Sequence, residues 1–192
     1  TMTTPRILRA ALAASLMALG LTGAASAKSL SPASPQPQSV APGLNVAYNY
    51  PQDVKSLSQA RQQVKRANPG PPLVGMDYPD TAPGERALTS NAAEYVSAKI
   101  DGYLEFGQPG TWGLEFHSND GLEVTLGGVD VYSKDGRFPC GTNGWVDVQV
   151  PEAGWYPVEA VFFQRLNTSC LMLRWEKPDG TREWTPQSAW GR

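Results

Sequence analysis

The most chemically suggestive segment of the sequence is a run of polar residues between two strand-like stretches. It reads Ser118-Asn119-Asp120-Gly121, with alternating apolar residues before and after it. Oxygen atoms of adjacent Asn and Asp side chains are ligands that a hard cation such as calcium accepts, and sugar hydroxyls can complete its coordination shell. The same residues are also typical of an ordinary Asx turn. The local sequence therefore leaves a calcium site and a simple turn as alternatives.

The single histidine limits the catalytic chemistry that the chain can contain. His117 is the only imidazole, so a zinc site with several histidine ligands cannot be built. The sequence has no G-x-S-x-G, no H-E-x-x-H and no glycine-rich phosphate-binding motif. Alternation places His117 on the polar side of its strand, which indicates a surface residue.

Paired carboxylates are the remaining route to hydrolysis. A glycoside hydrolase needs two acids about 5 to 10 Å apart, and the middle of the chain offers Glu105, Glu115, Asp120, Glu123 and Asp130. Alternation predicts that Glu115 and Glu123 face solvent, where acids normally only favour solubility. We therefore predict that the protein is not an enzyme. A carboxylate-based glycoside hydrolase ranks third among the possible functions, after a binding module and a protein-interaction or structural domain.

The N-terminal region has the layout of an export signal. Arg6 and Arg9 precede an uncharged apolar run over residues 10–21, and Ala25-Ser26-Ala27 offers small residues for a signal peptidase. We predict a signal peptide over residues 1–27 and a secreted or periplasmic protein. Because the run is shorter than the about 20 residues that span a bilayer, we predict no membrane span in the mature chain.

Export also decides how the two cysteines are interpreted. Cys140 and Cys170 are the only cysteines, and they form no C-x-x-C motif. Since exported thiols oxidise, we predict one Cys140–Cys170 disulfide; a catalytic or metal-binding pair would need partner residues that are missing.

The charge balance argues against nucleic acid as a partner. The chain has 16 basic and 18 acidic residues, and residues 1–27 hold two arginines and no acid, which leaves 14 basic and 18 acidic residues. Without a basic stripe, counterion release cannot drive binding to nucleic acid.

Turn residues divide the rest of the chain into short elements. Residues 28–42, rich in Pro, Ser and Gln, predict a disordered or polyproline-like tether. Helical spacing predicts one helix over residues 53–68, whose start Asp53 can cap, and a flexible excursion without a helix is the alternative. Elsewhere in residues 43–192 alternation with a period of two dominates, and Gly127-Gly128 predicts a tight hairpin. This pattern predicts an all-β fold, an antiparallel β-sandwich with one short helix near the N-terminus.

Four segments in this order resemble the protective-antigen fourteen-kilodalton (PA-fourteen) domain, a lectin-like β-sandwich related to flocculin-type adhesin domains. They cover most of residues 42–180 and are Pro42-Gly43-Leu44 with Tyr48, Ile100 to Leu104, Gly110 to Gly128, and Ala153 to Phe163 with Leu171 to Pro178. The resemblance implies a carbohydrate-binding or adhesion module whose partner is a glycan or a cell-surface polysaccharide. A metal-free protein-interaction or envelope-structural domain is the alternative.

The resemblance also implies a site. In the sugar-binding members, two adjacent aspartates joined by a cis peptide bond hold calcium, and Asn119 and Asp120 match this pair. A second loop follows the "Y-P" strand, and it implies Gln164, Arg165 and Asn167 as ligand-binding residues. Two features differ from the family: Asn119 replaces an aspartate, and Arg165 places a cation beside the site. Because calcium affinity follows the number of charged ligands, weak binding is expected.

Overall fold

Two β-sheets account for most of the computed structural model, which describes residues 1–2 and 27–192. The strands in chain order are β1 (Lys28–Ser29), β2 (Asn45–Asn49), β3 (Asn68–Pro69), β4 (Asp77–Tyr78), β5 (Val96–Phe106), β6 (Gly110–Asn119), β7 (Gly121–Leu126), β8 (Val129–Lys134), β9 (Val146–Val150), β10 (Gly154–Gln164), β11 (Cys170–Glu176), β12 (Arg182–Trp184) and β13 (Trp190–Gly191). The predicted all-β fold is confirmed. The predicted signal peptide lies almost wholly outside the described residues.

The strands form a first sheet in the order β1-β9-β6-β11-β12 and a second sheet in the order β3-β2-β5-β10-β7-β8. Strand β4 pairs with β11, and β13 pairs with β5. The longest ladder joins β5 to β10 in antiparallel register from Gly154↔Phe106 to Gln164↔Val96. Alternate residues of these strands point between the sheets, so Val96, Ala98 and Ile100 are fully buried.

One prediction about the turns is confirmed and one about the helix needs correction. Gly127 and Gly128 have φ angles of 54° and 77° and join β7 to β8, as a tight hairpin requires. The helix α1 spans only Leu57–Gln63, followed by a 3-10 turn over Val64–Arg66, rather than residues 53–68. Ser56, not Asp53, caps it by accepting a hydrogen bond from the Gln59 backbone N–H. No helix among the described residues is long and apolar enough to cross a membrane.

The prediction that residues 28–42 form a loose tether is wrong. Strand β1 pairs with β9 in parallel, and the Leu30 side chain is 2% exposed. The Ser31 N–H donates to Gly127 O at 2.9 Å, and the Ala33 N–H donates to Trp155 O at 2.8 Å. The composition concealed this packing because one buried leucine and a few backbone hydrogen bonds are enough to hold a short segment against a sheet edge.

Candidate functional site

Three segments meet at one end of the sandwich because several strands end or begin there. Strand β6 ends at Asn119 opposite Cys170, the first residue of β11. The chain then crosses to the second sheet, where Gly121 lies opposite Phe163 near the end of β10. The residues after β8 return to the same end, since Ser118 and Gly141 form an isolated bridge. The sequence around residue 120 is therefore flanked by a 135–141 loop and a 165–169 loop.

Gly121 permits the close crossing between the sheets. A Cβ atom at this position would lie 2.1 Å from the Phe163 ring, far inside van der Waals contact. The peptide bond between Asn119 and Asp120, one residue earlier, is cis.

Asp120 joins the two flanking loops. Its side chain accepts a hydrogen bond from the Phe138 N–H at 2.9 Å with one oxygen and from the Arg165 N–H at 2.8 Å with the other. Burial raises the pKa of Asp120, while these two backbone bonds and the charges of Arg137 and Arg165 lower it to a smaller extent. A carboxylate held in this way fixes the shape of the site.

Asn119 presents an unused acceptor beside that carboxylate. Its Nδ2 donates to Thr168 Oγ1 at 3.0 Å, which ties β6 to the 165–169 loop. Its Oδ1 is buried and has no hydrogen-bond partner among the described residues. A buried amide oxygen without a partner is energetically costly, so this atom is a candidate to bind a ligand.

The predicted Cys140–Cys170 disulfide is confirmed and links the same two regions. The bond joins the end of the 135–141 loop to the start of β11, with a Cα–Cα distance of 5.8 Å. The Asp80 carboxylate lies near both sulfurs. Because those sulfurs are bonded to each other, Asp80 is the only one of the three able to bind a metal ion.

Residues from the N-terminal half of the chain hold the 165–169 loop. The Arg165 Nε donates to Asp53 Oδ1 at 2.8 Å, and the Asn167 N–H donates to Glu94 at 3.0 Å. Hydrogen bonds from Lys55 and Arg165 lower the pKa of Asp53 to about 2. Asn167 has a φ angle of 69°, a conformation that Asn tolerates better than most residues.

These segments enclose a pocket of about 340 Å³, which we call the loop pocket; it is lined by Asn119, Asp120, Arg137, Phe138, Pro139, Arg165, Leu166, Asn167 and Thr168. Four of the five predicted site residues lie in its wall. Gln164 does not, because it is fully buried and its Nε2 donates to Leu166 O at 2.7 Å. Sequence reasoning missed Arg137 and Phe138, because their exposure and their place in the pocket are visible only in the structure.

The donor set of the loop pocket fits calcium poorly. Asn119 Oδ1 and the Asp120 carboxylate are suitable oxygens, but Asp120 is the only acid in the wall. Arg137 and Arg165 lie in the same wall. Behind it, Lys134 is 5% exposed, and its ammonium donates to Ser118 O and Gly141 O. A divalent cation would meet more positive than negative charge here.

Two of the acids considered for hydrolysis, Glu115 and Glu123, lie on different sheets. Glu115, predicted to face solvent, is instead 7% exposed and accepts hydrogen bonds from Arg174 at 2.7 to 2.9 Å. Glu123 lies on β7 in the other sheet, where it pairs with Arg61 beside a larger groove of about 620 Å³. Each of these acids is thus neutralised by its own arginine.

No protein-family model matches the sequence, and no curated protein matches it. Solved structures do. The PA14 domain of the MpAFP antifreeze protein superimposes with a TM-score of 0.66 at 15% identity, covering 80% of this chain and 92% of that one. The chain has the PA14 fold. A "PA14 sugar-binding domain from RTX adhesin" gives a TM-score of 0.63 at 17% identity, covering 79% of this chain and 99% of that one. The epithelial adhesin 9 A domain from Candida glabrata, in complex with Galb1-3GlcNAc, superimposes with a TM-score of 0.65 at 17% identity. The match covers 86% of this chain and 95% of that one.

Proposed function

We propose that this PA14-like chain is a carbohydrate-binding or adhesion module and that the loop pocket is its sugar site. The observation that carries the proposal is a preformed pocket whose wall holds both an exposed aromatic ring, Phe138, and the polar side chains of Asn119 and Asn167. The fold agrees with this proposal, because structures of the same fold include a sugar-binding adhesin domain and an adhesin domain bound to a disaccharide.

The chemistry of the wall suits a sugar. Saccharides offer hydroxyls to planar polar groups and an apolar ring face to an aromatic side chain. The Asn167 amide and the Arg165 guanidinium supply polar contacts, and a sugar hydroxyl that reaches the buried Asn119 Oδ1 would give that atom the hydrogen-bond partner it lacks. Phe138 is 42% exposed, yet its ring packs against Gly136 and lies 5.1 Å from the Lys134 ammonium. The ring is therefore held in place while one side remains available for stacking.

Rigidity of the wall favours binding. The Cys140–Cys170 disulfide and the two backbone bonds to Asp120 fix the 135–141 loop. The Arg165–Asp53 ion pair fixes the 165–169 loop. Because these contacts exist before the ligand arrives, little loop entropy is lost on binding.

We infer that the sugar contacts the protein directly rather than through a metal. In a calcium-dependent alternative, Asn119 and Asp120 would hold the ion, which would then bind sugar hydroxyls. The excess of positive charge around Asp120 disfavours that arrangement. The disulfide and the N-terminal pattern support a secreted or periplasmic location, with residues 1–27 as a signal peptide, 28–42 as a segment docked on the domain, and 43–192 as the domain itself.

A glycan array tests the proposal with residues 28–192, in chelator and in calcium. We expect binding to a defined group of saccharides in both buffers. Phe138→Ala should abolish it, whereas Trp184→Ala, which removes a 49% exposed aromatic outside the pocket, should retain it. No binding to any saccharide, or equal losses in both variants, would contradict the proposal.

A protein-interaction or envelope-structural domain is the second candidate. It is favoured by the outer face of the first sheet, where the Arg174 guanidinium lies 5.1 Å from the Trp145 ring and 5.8 Å from the Trp184 ring. Tryptophan and arginine are enriched at protein interfaces. Sedimentation velocity distinguishes this candidate from a sugar-binding module. Self-association of the wild type that is lost in Trp184→Ala, together with an absence of glycan binding, would favour the interaction domain.

A further inference from the structure

The charges around the loop pocket do not balance. Its wall holds two cations, Arg137 and Arg165, and one acid, Asp120. Lys134 lies behind the wall, and Asp53 and Glu94 contact the 165–169 loop from outside it. Asp53 forms its ion pair with Arg165 at 2.8 Å and a second one with Lys55. Its charge is therefore shared between two partners outside the 135–141 loop.

The Asp120 charge is also engaged. Both carboxylate oxygens accept backbone hydrogen bonds, and the nearest buried cation is Lys134. The Lys134 ammonium itself bonds two carbonyl oxygens and forms no ion pair within 4.0 Å among the described residues. The single Asp120 carboxylate therefore faces Arg137, Arg165 and Lys134 together, so the negative charge at this end of the sandwich is shared among three cations.

Arg137 is the cation of the pocket wall that has no acidic partner among the described residues. It is exposed, it lines the pocket, and it makes no side-chain hydrogen bond or ion pair with the described residues. Its backbone position is fixed, because the N–H of the next residue, Phe138, donates to Asp120. The guanidinium thus projects from a fixed point next to the exposed Phe138 ring, with all its donors free.

We propose that the loop pocket selects an acidic saccharide and that Arg137 receives its carboxylate or sulfate group while Phe138 stacks on the ring. The planar guanidinium makes paired hydrogen bonds to carboxylate and sulfate oxygens, which a neutral hydroxyl cannot match. This inference rests on the proposed function and names the class of sugar. Selection of an acidic saccharide also explains why the wall of this pocket has arginines where the wall of a metal site would have acids.

Isothermal titration calorimetry tests the inference with residues 28–192 in chelator. Galactose 6-sulfate is compared with galactose, and glucuronic acid with glucose. We expect each acidic sugar to bind about fivefold to tenfold more tightly than its neutral counterpart at low salt, and the ratio to shrink as salt is added. Arg137→Gln should reduce the ratio to near one. Arg86→Gln, which removes an exposed arginine outside the pocket, is the matched control for net charge.

The outcomes separate this inference from the proposed function. Equal affinity for neutral and acidic sugars, or an equal loss in Arg137→Gln and Arg86→Gln, overturns the acidic selectivity and leaves sugar binding intact. Selectivity that depends on Arg137 but not on Arg86 supports it. If neither these sugars nor any saccharide on an array binds, the proposed function fails and the inference fails with it.

Discussion

Removing the disulfide should weaken both the fold and the pocket. The bond closes a loop with a sequence separation of 30, which corresponds to about 3.6 kcal/mol of folding free energy from chain entropy. For a domain of this size, each kcal/mol lowers the Tm by about 2–4 °C, so a fall of about 7–15 °C is expected. The pair of substitutions Cys140→Ser and Cys170→Ala is suitable, because position 170 is fully buried and a serine hydroxyl there would lack a partner.

Calorimetry and sugar binding of this variant are measured together, with the wild type under reducing conditions as the control. Since the bond ties the 135–141 loop to β11, saccharide affinity should fall even at temperatures where the variant is fully folded. A Tm within about 3 °C of the wild type would refute the entropic argument. Unchanged affinity in the folded variant would show that the loop is held by Asp120 alone.

Three further predictions concern the crossing, the loop anchor and the metal. Gly121→Ala forces a methyl group into the Phe163 ring and should lower the free energy of unfolding, measured by urea denaturation, by about 1–3 kcal/mol. Gly107→Ala is the control, because its Cβ position has open space around it, and it should lower that free energy far less. Equal losses in the two variants would argue against the close approach of Gly121 to Phe163. The Asp53 pKa of about 2 lies below its ordinary 3.8, so its contribution to folding is complete above about pH 4 and is lost as the pH falls through 2. Asp53→Asn should therefore lower the Tm at pH 7 and match the wild type near pH 2, and a pH-independent difference would contradict this. Asn119→Asp adds a second carboxylate and should create a Tm increase in millimolar calcium; the same increase in the wild type would show that calcium already binds.

The fold was predictable because its signals are local. Alternating residues predict the long strands, and Gly127-Gly128 predicts the β7–β8 hairpin with the φ angles that the structure has. The helix was predicted too long, since the apolar spacing continues past Gln63 although the last turn is a 3-10 turn. The docking of residues 28–42 was missed because it depends on contacts with Gly127 and Trp155, more than 90 residues away in the sequence.

The site was predictable only in part, because its chemistry depends on which loops meet. The resemblance implies Asn119, Asp120, Arg165 and Asn167, and the structure brings these four together in one pocket. Gln164 was included because it adjoins them in sequence, but alternation at the end of β10 turns its side chain inward. Arg137 and Phe138 come from a different loop, and no spacing rule connects them to residue 120.

NMR titration shows directly whether sugar binds in the loop pocket. Backbone resonances of residues 28–192 are followed as lactose and then galactose 6-sulfate are added in chelator. Binding in the loop pocket should concentrate the shifts in residues 119–120, 137–139 and 165–168, with larger changes for the sulfated sugar. Shifts confined to the face that carries Trp145 and Trp184, or none with either sugar, would contradict it.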